Sequence, residues 1–523
     1  MLHADLVLIN GNIITMNSKQ PRAQAVAIRE EKFVAIGDSQ QILSYVGKDT
    51  EKIDLKGKTI VPGFVDSHVH GAALGRGLSQ INLRGIKSIE DIKQKVKQWA
   101  KRTSKGEWII GHGWDQDKLA EHRYPSRFDL DQAAPNHSVF LIRVCGHLGV
   151  VNSEAMRLAE ISEETRPPDG GYIDKDPKTG EPNGILRENA LNLILDVLPE
   201  SSQETLAKNC LLACQKMVKE GLTTAHWVIS SAREMRALHQ LNKQDMLPLR
   251  IYLLIPIECL DHLIELGLTT GFGDDKIKVG SVKILTDGSL GARTAALKQP
   301  YSDAPDAKGM LLYSQKQLEE FVEKAQKADL QLAIHAIGDK TIEVVLQILE
   351  KALGKTQKRK HRHRLEHVSV LNPRLIKKMK EISVVASVQP HFIVSDVWIM
   401  ERLGKTRARW TYAFKSLLRE GIVAIGGSDA PVEPVSPILG IYAAVARKMF
   451  PEEKLSMDEA LRLYTINAAY GSFEEGFKGS IEKGKFADLV VLSHDPYKIA
   501  SEKIREMKVE RTIVGGKTVY TRK

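Results

Sequence analysis

Cysteine is scarce in this chain, with four (Cys145, Cys210, Cys214, Cys259) in 523 residues. That is too few for a disulfide framework, and no Cys-x-x-Cys pair occurs. Cys210 and Cys214 fall four apart in a helical pattern. All four read as buried thiols of a protein kept in a reducing, cytoplasmic compartment. Long apolar runs are also missing: no uninterrupted stretch approaches the ~18–20 residues that span a bilayer, so no membrane partner is expected. The opening MLHADLVLINGN lacks a basic start, and Asp5 breaks its short apolar stretch, so it does not read as a secretory leader. A nucleic-acid-binding module is absent, and no aromatics interleave with the basic residues. The formal net charge is +10, yet residues 351–364, KALGKTQKRKHRHR, hold seven Lys or Arg and no acid. Lying between a helical pattern and a strand, that run reads as a solvated connector, and no nucleic-acid partner is expected. The 42% hydrophobic and 27% charged fractions exclude a disordered chain.

What is present is organised in three parts. Residues 1–60 and 476–523 both read as short strands with turn signals, such as ADLVLI, NGNIITM and, at the far end, VERTIVGGKTVYTR with its Gly-Gly turn. Neither end has enough strands to bury a core alone. Pairing them into one composite β-sandwich solves this for both. Residues 61–475 alternate apolar, β-branched runs with amphipathic helical segments. The runs are TIVPGFVDSHVH, GLTTAHWV, LRIYLLI, IKVGSVKILTDG, LQLAIHAIGD, HRLEHVSV, SVVASVQPHF and IVAIGGSDAP. Eight such strands predict an α/β fold, a (β/α)8 TIM-like barrel. The gap after strand 1 is too long for one helix, so an inserted subdomain is expected over about 75–205. Its RPPDGGYIDKDPKTGEPNG stretch reads as a hairpin or lid.

Active sites of such barrels lie at the C-terminal ends of the strands. Strand 1 ends in His68-Val69-His70, and period-2 alternation points both imidazoles the same way. Strand 4 holds Lys283 among apolar neighbours. Strand 5 ends at His335, strand 6 at His367 and strand 8 at Asp429. Any one of these residues alone has an ordinary structural explanation; six at matching depths in five strands point to a shared site. Imidazoles and a carboxylate suit zinc, iron or manganese.

The ordered set VPGFVDSHVH, GHGWDQ, HLGVVNSEA, DPKTGEPNGILRE, VKILTDGSLGARTAAL, AIHAIGD, LEHV, GSDAPVEPVSP and GSIEKGKFADLVVL resembles the amidohydrolase superfamily over nearly the whole chain. The nearest likeness is to its amidohydrolase-3 group of YtcJ-like and N-substituted formamide deformylase-like hydrolases. The resemblance implies two divalent metal ions, zinc foremost. His68, His70 and Asp429 would hold the more buried ion, His335 and His367 the second. Lys283, converted by CO2 into a carbamate, would bridge them, since an ammonium cannot ligate a cation. The implied activity is hydrolysis of an amide-type C–N bond in a small-molecule substrate, a hydroxide bridging the metals being the attacking group. Asp429 would accept the water proton and hand it to the leaving amine. A homodimer is a family expectation. Two other readings stay open: a one-metal deaminase or cyclic amidine hydrolase, and a non-catalytic assembly protein. The retained Lys283 and full ligand set argue against both.

Further substrate-contact candidates are His226 and His391, which end strands 2 and 7, and His112, Trp114 and Asp115 of the GHGWD motif. Trp114 could equally be a packing residue. Asp287 and Arg293 of TDGSLGAR either bind a substrate carboxylate or pair with each other.

Overall fold

In the computed structural model, residues 3–143, 147–354 and 361–523 are described. The chain divides into two compact units, one of Met1–Leu74 with Ala213–Lys523, the other of Gly75–Leu212. Among the described residues, no helix is long and apolar enough to cross a membrane.

The first unit is built on an eight-stranded, all-parallel sheet. Its strands are β1 (Phe64–Val69), β2 (Leu222–Val228), β3 (Arg250–Pro256), β4 (Ile277–Leu285), β5 (Gln331–Ala336), β6 (Arg364–His367), β7 (Val385–Val388) and β8 (Ala424–Gly426). They pair in sequence order from β1 to β8. A parallel bridge between Val69 and Ala430 joins the two ends, so the sheet curls into a barrel. β2 and β5 are buried at every position, as expected of strands packed on both faces. The intervening helices carry the amphipathic pattern. Helix Gln315–Lys327 starts at a Ser314–Gln317 capping box and buries Leu318, Val322 and Ala325. Helix Asp339–Leu353 buries Ile342, Val345, Leu346 and Leu349 on the same 3.6-residue period.

TIVPGFVDSHVH is not one strand. Thr59–Pro62 belongs to a different sheet, and the barrel strand begins at Phe64. Gly63 is the crossing point. A Cβ there would fall 2.1 Å from Thr223 Oγ1, so only glycine lets the chain pass this close to the neighbouring strand.

Both chain ends supply the second layer. A six-stranded sheet runs Lys517–Thr521, Val509–Val514, Leu489–Leu492, Thr59–Pro62, Asn12–Ile14, Arg22–Ala23. A four-stranded sheet runs Lys32–Gly37, Ala25–Arg29, Leu6–Ile9, Glu51–Asp54. One apolar core contains Leu8, Val26, Phe33 and Ile60 from the first end with Leu489, Val491 and Ile513 from the last. Leu489→Ala is therefore expected to cost about 2–5 kcal/mol, read as a drop in the unfolding midpoint in denaturant. An unchanged midpoint would mean that the C-terminal strands do not share this core.

The second unit has its own six-stranded sheet, in the order Gly171–Lys175, Pro182–Glu188, Leu148–Val151, Val139–Arg143, Ile109–Trp114, Ile81–Asn82. Gly171–Lys175 and Pro182–Glu188 form the hairpin foreseen in the turn-rich stretch.

Two sequence expectations need correction. Cys210 and Cys214 are buried, but Cys259 is only half-buried; Cys145 lies outside the described residues. The basic run is not simply a solvated connector. Residues 355–360 are outside the described set, but Arg362 pairs with Glu475 at 2.6 Å and stacks on Tyr470, while Arg364 has no exposed surface at all.

Candidate metal centre

The end of β1 and the segment after β8 are stitched together by backbone. Asp429 N–H donates to His68 O (2.7 Å) and His70 N–H to Ala430 O (2.9 Å). Gly427 permits the approach, since a Cβ there would sit 2.7 Å from His68 N. Asp66, buried beneath, accepts from the N–H groups of His68 (3.0 Å) and Ser428 (2.9 Å) through one oxygen. Burial pushes its carboxyl up to about 6. The result is that Asp429 Oδ1 lies 3.1 Å from His70 Nε2 and 3.5 Å from His68 Nε2. One ligand atom from each of His68, His70 and Asp429 falls within 4.8 Å of the others.

The remaining members sit alongside. Lys283 Nζ lies 3.4 Å from His68 Nε2. The His367 ring centroid is 5.0 Å from that of His68 and 4.5 Å from that of His335. His367 and Asp429 both hold left-handed backbone, with φ of 74° and 56°. Non-glycine residues persist there only when their surroundings enforce it, which is common at functional sites.

Hydrogen bonds decide which ring nitrogen each histidine can offer a metal. His68 Nδ1 faces Glu366 Oε2 at 2.5 Å, so it carries the proton and Nε2 keeps its lone pair. His367 Nδ1 faces Gln389 Oε1 at 2.8 Å, which again frees Nε2. His335 Nε2 faces Gly288 O (3.1 Å) and Asp287 Oδ1 (3.3 Å), which frees Nδ1. Burial, with the charge of Lys283 added, lowers the His68 imidazole to about 4. Burial and the neighbouring His335 hold His367 well below its ordinary value. Both rings are therefore neutral at neutral pH, the form that binds metal. Burial also lowers the Lys283 ammonium to about 8, against the pull of Glu366 and Asp429. Neutral imidazoles with one free nitrogen each, beside a carboxylate, fit a divalent transition metal.

Glu366 and Arg364 are the members that the sequence reading missed. Arg364 donates to Glu366 through Nε (2.7 Å) and Nη2 (3.2 Å), to Ser67 O (2.5 Å), to Ser387 Oγ (3.1 Å) and to His226 Nδ1 (2.8 Å). It thus ties β1, β2, β6 and β7 beneath the site. Burial opposes ionisation of Glu366, but Arg364 and His68 prevail and hold its carboxyl well below the usual range. A carboxylate on the outer nitrogen of a ligand histidine fixes its tautomer and ring orientation, and losing one typically costs 10–100-fold in metal affinity. Glu366→Gln is accordingly expected to weaken metal binding by ~10–100-fold, measured by chelator competition on the metal-free protein. Unchanged affinity would make the contact incidental.

The other sequence candidates stand outside the His68–His70–Asp429 cluster. His226 is fully buried on β2, engaged by Arg364 and packed on Tyr252 with ring centroids 5.0 Å apart, so it has no exposed face for a substrate. The reason is register: it lies two residues short of the strand end, level with Arg364. His391 is three residues beyond β7 and pairs with Glu433. Asp287 and Arg293 do not pair with each other. Asp287 is buried and accepts from Ala296 N, Ile337 N, Gly338 N and Thr341 Oγ1. Arg293 pairs with Asp303 at 2.9 Å. Trp114 is fully buried in the core of the second unit, where Nε1 donates to Leu141 O at 3.1 Å. That is the packing alternative: alternation alone would put Trp114 on the half-buried face of Ile110 and His112, and a register shift between His112 and Trp114, at left-handed Gly113, turns it inward. Asp115 pairs with Arg143 at 2.9 Å, while burial and Arg84 lower the half-buried His112 imidazole.

Comparison with known proteins is consistent along the chain. The amidohydrolase family model matches residues 51–520. "Putative amidohydrolase YtcJ" of Bacillus subtilis (strain 168) is 35% identical over 98% of both chains. N-substituted formamide deformylase of Arthrobacter pascens is 28% identical, covering 99% of this chain and 98% of that protein. A crystal structure of an uncharacterized metal-dependent hydrolase from Pyrococcus furiosus superposes with a TM-score of 0.81 at 35% identity, covering 94% of this chain and all of that one.

Proposed function

The chain belongs to the amidohydrolase family, and from that membership we propose that it hydrolyses an amide-type C–N bond at a two-metal centre. The observation that carries this reading is the convergence of His68, His70 and Asp429 with their ligand atoms within 4.8 Å of one another. In this reading His68, His70 and Asp429 would hold one ion, His335 and His367 the other, with Lys283, as a carbamate, supplying an anionic ligand to both. When bound, such ions supply Lewis acidity toward a carbonyl and lower the pKa of water from ~15.7 to ~7.

The chain's own residues do the rest. Lys283 is buried in apolar β4, where an ammonium is costly and burial lowers it to about 8. The amine is thus available to CO2: an N–C bond forms, one proton leaves, and the nitrogen becomes neutral while two oxygens share a negative charge. Asp429, oriented by His70, accepts a proton from the attacking water and passes it to the leaving nitrogen. A neutral amide suits a site beside which Arg293 is already paired with Asp303 and His391 with Glu433.

The test is metal analysis joined to a substrate screen. Protein prepared with bicarbonate and zinc is expected to hold two ions per chain and to turn over members of a panel of N-formyl, N-acyl, cyclic imide and ester compounds. One ion with turnover of an aminopurine would favour a deaminase; no bound transition metal would remove the hydrolase reading.

A further inference from the structure

The segments that follow the barrel strands carry exposed aliphatic side chains. Leu285, Met310, Leu312, Val394 and Val432 are between 45% and 65% exposed. All five come at or after the C-terminal end of a barrel strand, the end that bears the active site in this architecture. Pairing ties Leu285, Leu312 and Val432 to the centre. Leu285 shares the inward alternation of Lys283 and lies opposite His335 in the β4–β5 register. Leu312 N–H donates to Thr286 O at 2.9 Å, which sets it beside Leu285, and Thr286 Oγ1 donates to His335 O. Met310, two residues earlier in the same extended segment, donates to Thr294 O at 3.2 Å. After β8, Val432 N–H donates to Asp429 O, and after β7, Val394 N–H donates to His391 O, both at 2.9 Å.

Several polar and ionic groups in these segments have partners close by. Asp303 holds both Arg293 and Arg402, Glu433 holds His391, and Asp396 accepts from Tyr412 Oη at 2.6 Å. The mouth thus offers hydrocarbon around a polar floor. Scattered exposed aliphatics are ordinary; Leu285, Leu312 and Val432, tied by register or hydrogen bond to His335, Thr286 and Asp429, fit the pattern of a ligand site that is apolar in its walls and polar at one point.

Resting on the hydrolase reading above, we infer that the substrate is an uncharged amide with a hydrocarbon arm, several carbons long, lodged against Leu285, Leu312 and Val432 beside the scissile bond. A carboxylate or ammonium on that arm would be desolvated there without a partner and is disfavoured.

The experiment uses the metal-loaded protein and straight-chain primary amides from acetamide to octanamide, with binding read by titration calorimetry. Affinity is expected to rise about three- to fourfold per added methylene over the first several. The amide carrying a terminal carboxylate at equal length should bind more weakly. In L285N/L312N the gain per methylene should shrink toward none; both side chains are solvent-exposed, so the fold should tolerate the change. Affinity independent of chain length, no detectable octanamide binding, or tighter binding of the carboxylate form would overturn the inference. A parallel series of N-alkylformamides separates it from the hydrolase reading. Length-dependent binding with no turnover of any member would sink the hydrolase and leave the apolar mouth. Turnover with kcat/KM flat across the series, together with flat affinity, would do the reverse.

Discussion

Lys283→Ala is expected to lose most of its bound metal and to drop in activity by two or more orders of magnitude. The side chain lies in SVKI, a stretch of β4 buried on both faces, with Nζ 3.4 Å from His68 Nε2. As an ammonium it would repel cations; as a carbamate it would hold two. The alanine variant therefore removes an anionic ligand and leaves space where it stood. A small carboxylic acid supplied with zinc should enter that space, and activity should recover in part and saturate with acid concentration. Lys283→Arg should stay inactive, because a guanidinium remains cationic and forms no carbamate. The pH dependence follows from the lowered ammonium. Only the neutral amine reacts with CO2, and burial brings half-neutralisation down to about 8. Below that pH the protonated form dominates and labelling by 13C-bicarbonate should be slow; as pH rises through it, the 13C carbamate signal should grow. An arginine variant with full metal and normal turnover would take the carbamate out of the mechanism.

How much of this was readable in advance depended on the kind of signal. The barrel strands were legible because parallel strands covered on both faces are continuous apolar runs, and β2 and β5 have no exposed position. His68 and His70 were legible as a pair because alternation alone puts them on one face. The break at Gly63 was not: TIVPGFVDSHVH carries one unbroken apolar pattern, and the reason for splitting it is a neighbour, Thr223, far away in sequence. Arg364 and Glu366 were hidden differently. They sit in RLEH at the edge of a basic run, where charge suggests solvent, and their burial becomes affordable only because each satisfies the other and His68. A fully buried charge pair leaves little local signature. Their i, i+2 spacing on a strand ending in His367 was the one available hint. His391 and Arg293 show the opposite limit. Both stand where a site residue was expected, yet each is engaged by an acid, Glu433 or Asp303, whose placement depends on loop geometry. Pairing across loops is set by tertiary structure, which a single sequence does not reveal.

Asp429→Asn is expected to lower kcat by about 10²–10⁴, the range of a general base, while the fold survives. The substitution isolates chemistry from backbone. Asp429 adopts φ of 56°, and asparagine tolerates that left-handed region better than other non-glycine residues, so the turn after β8 should hold. The backbone bond from residue 429 N–H to His68 O is likewise unaffected. An amide oxygen can still face His70 Nε2, now 3.1 Å from Asp429 Oδ1, so the imidazole keeps a partner. What is lost is the capacity to take a proton and one negative charge beside the metal ions. Burial disfavours that charge in the wild type, yet the bond to His70 and the nearby imidazoles keep the carboxyl far below its usual range, so it stands ionised at any pH the protein works in. A residue acting only as a ligand would lose activity in proportion to metal. A proton acceptor fails even when metal is restored. Saturating zinc should therefore return occupancy to the Asn variant without returning kcat, with KM changing little and the unfolding midpoint close to wild type. Near-normal turnover by a fully loaded Asn variant would leave Asp429 as a ligand and assign the proton transfer to another group.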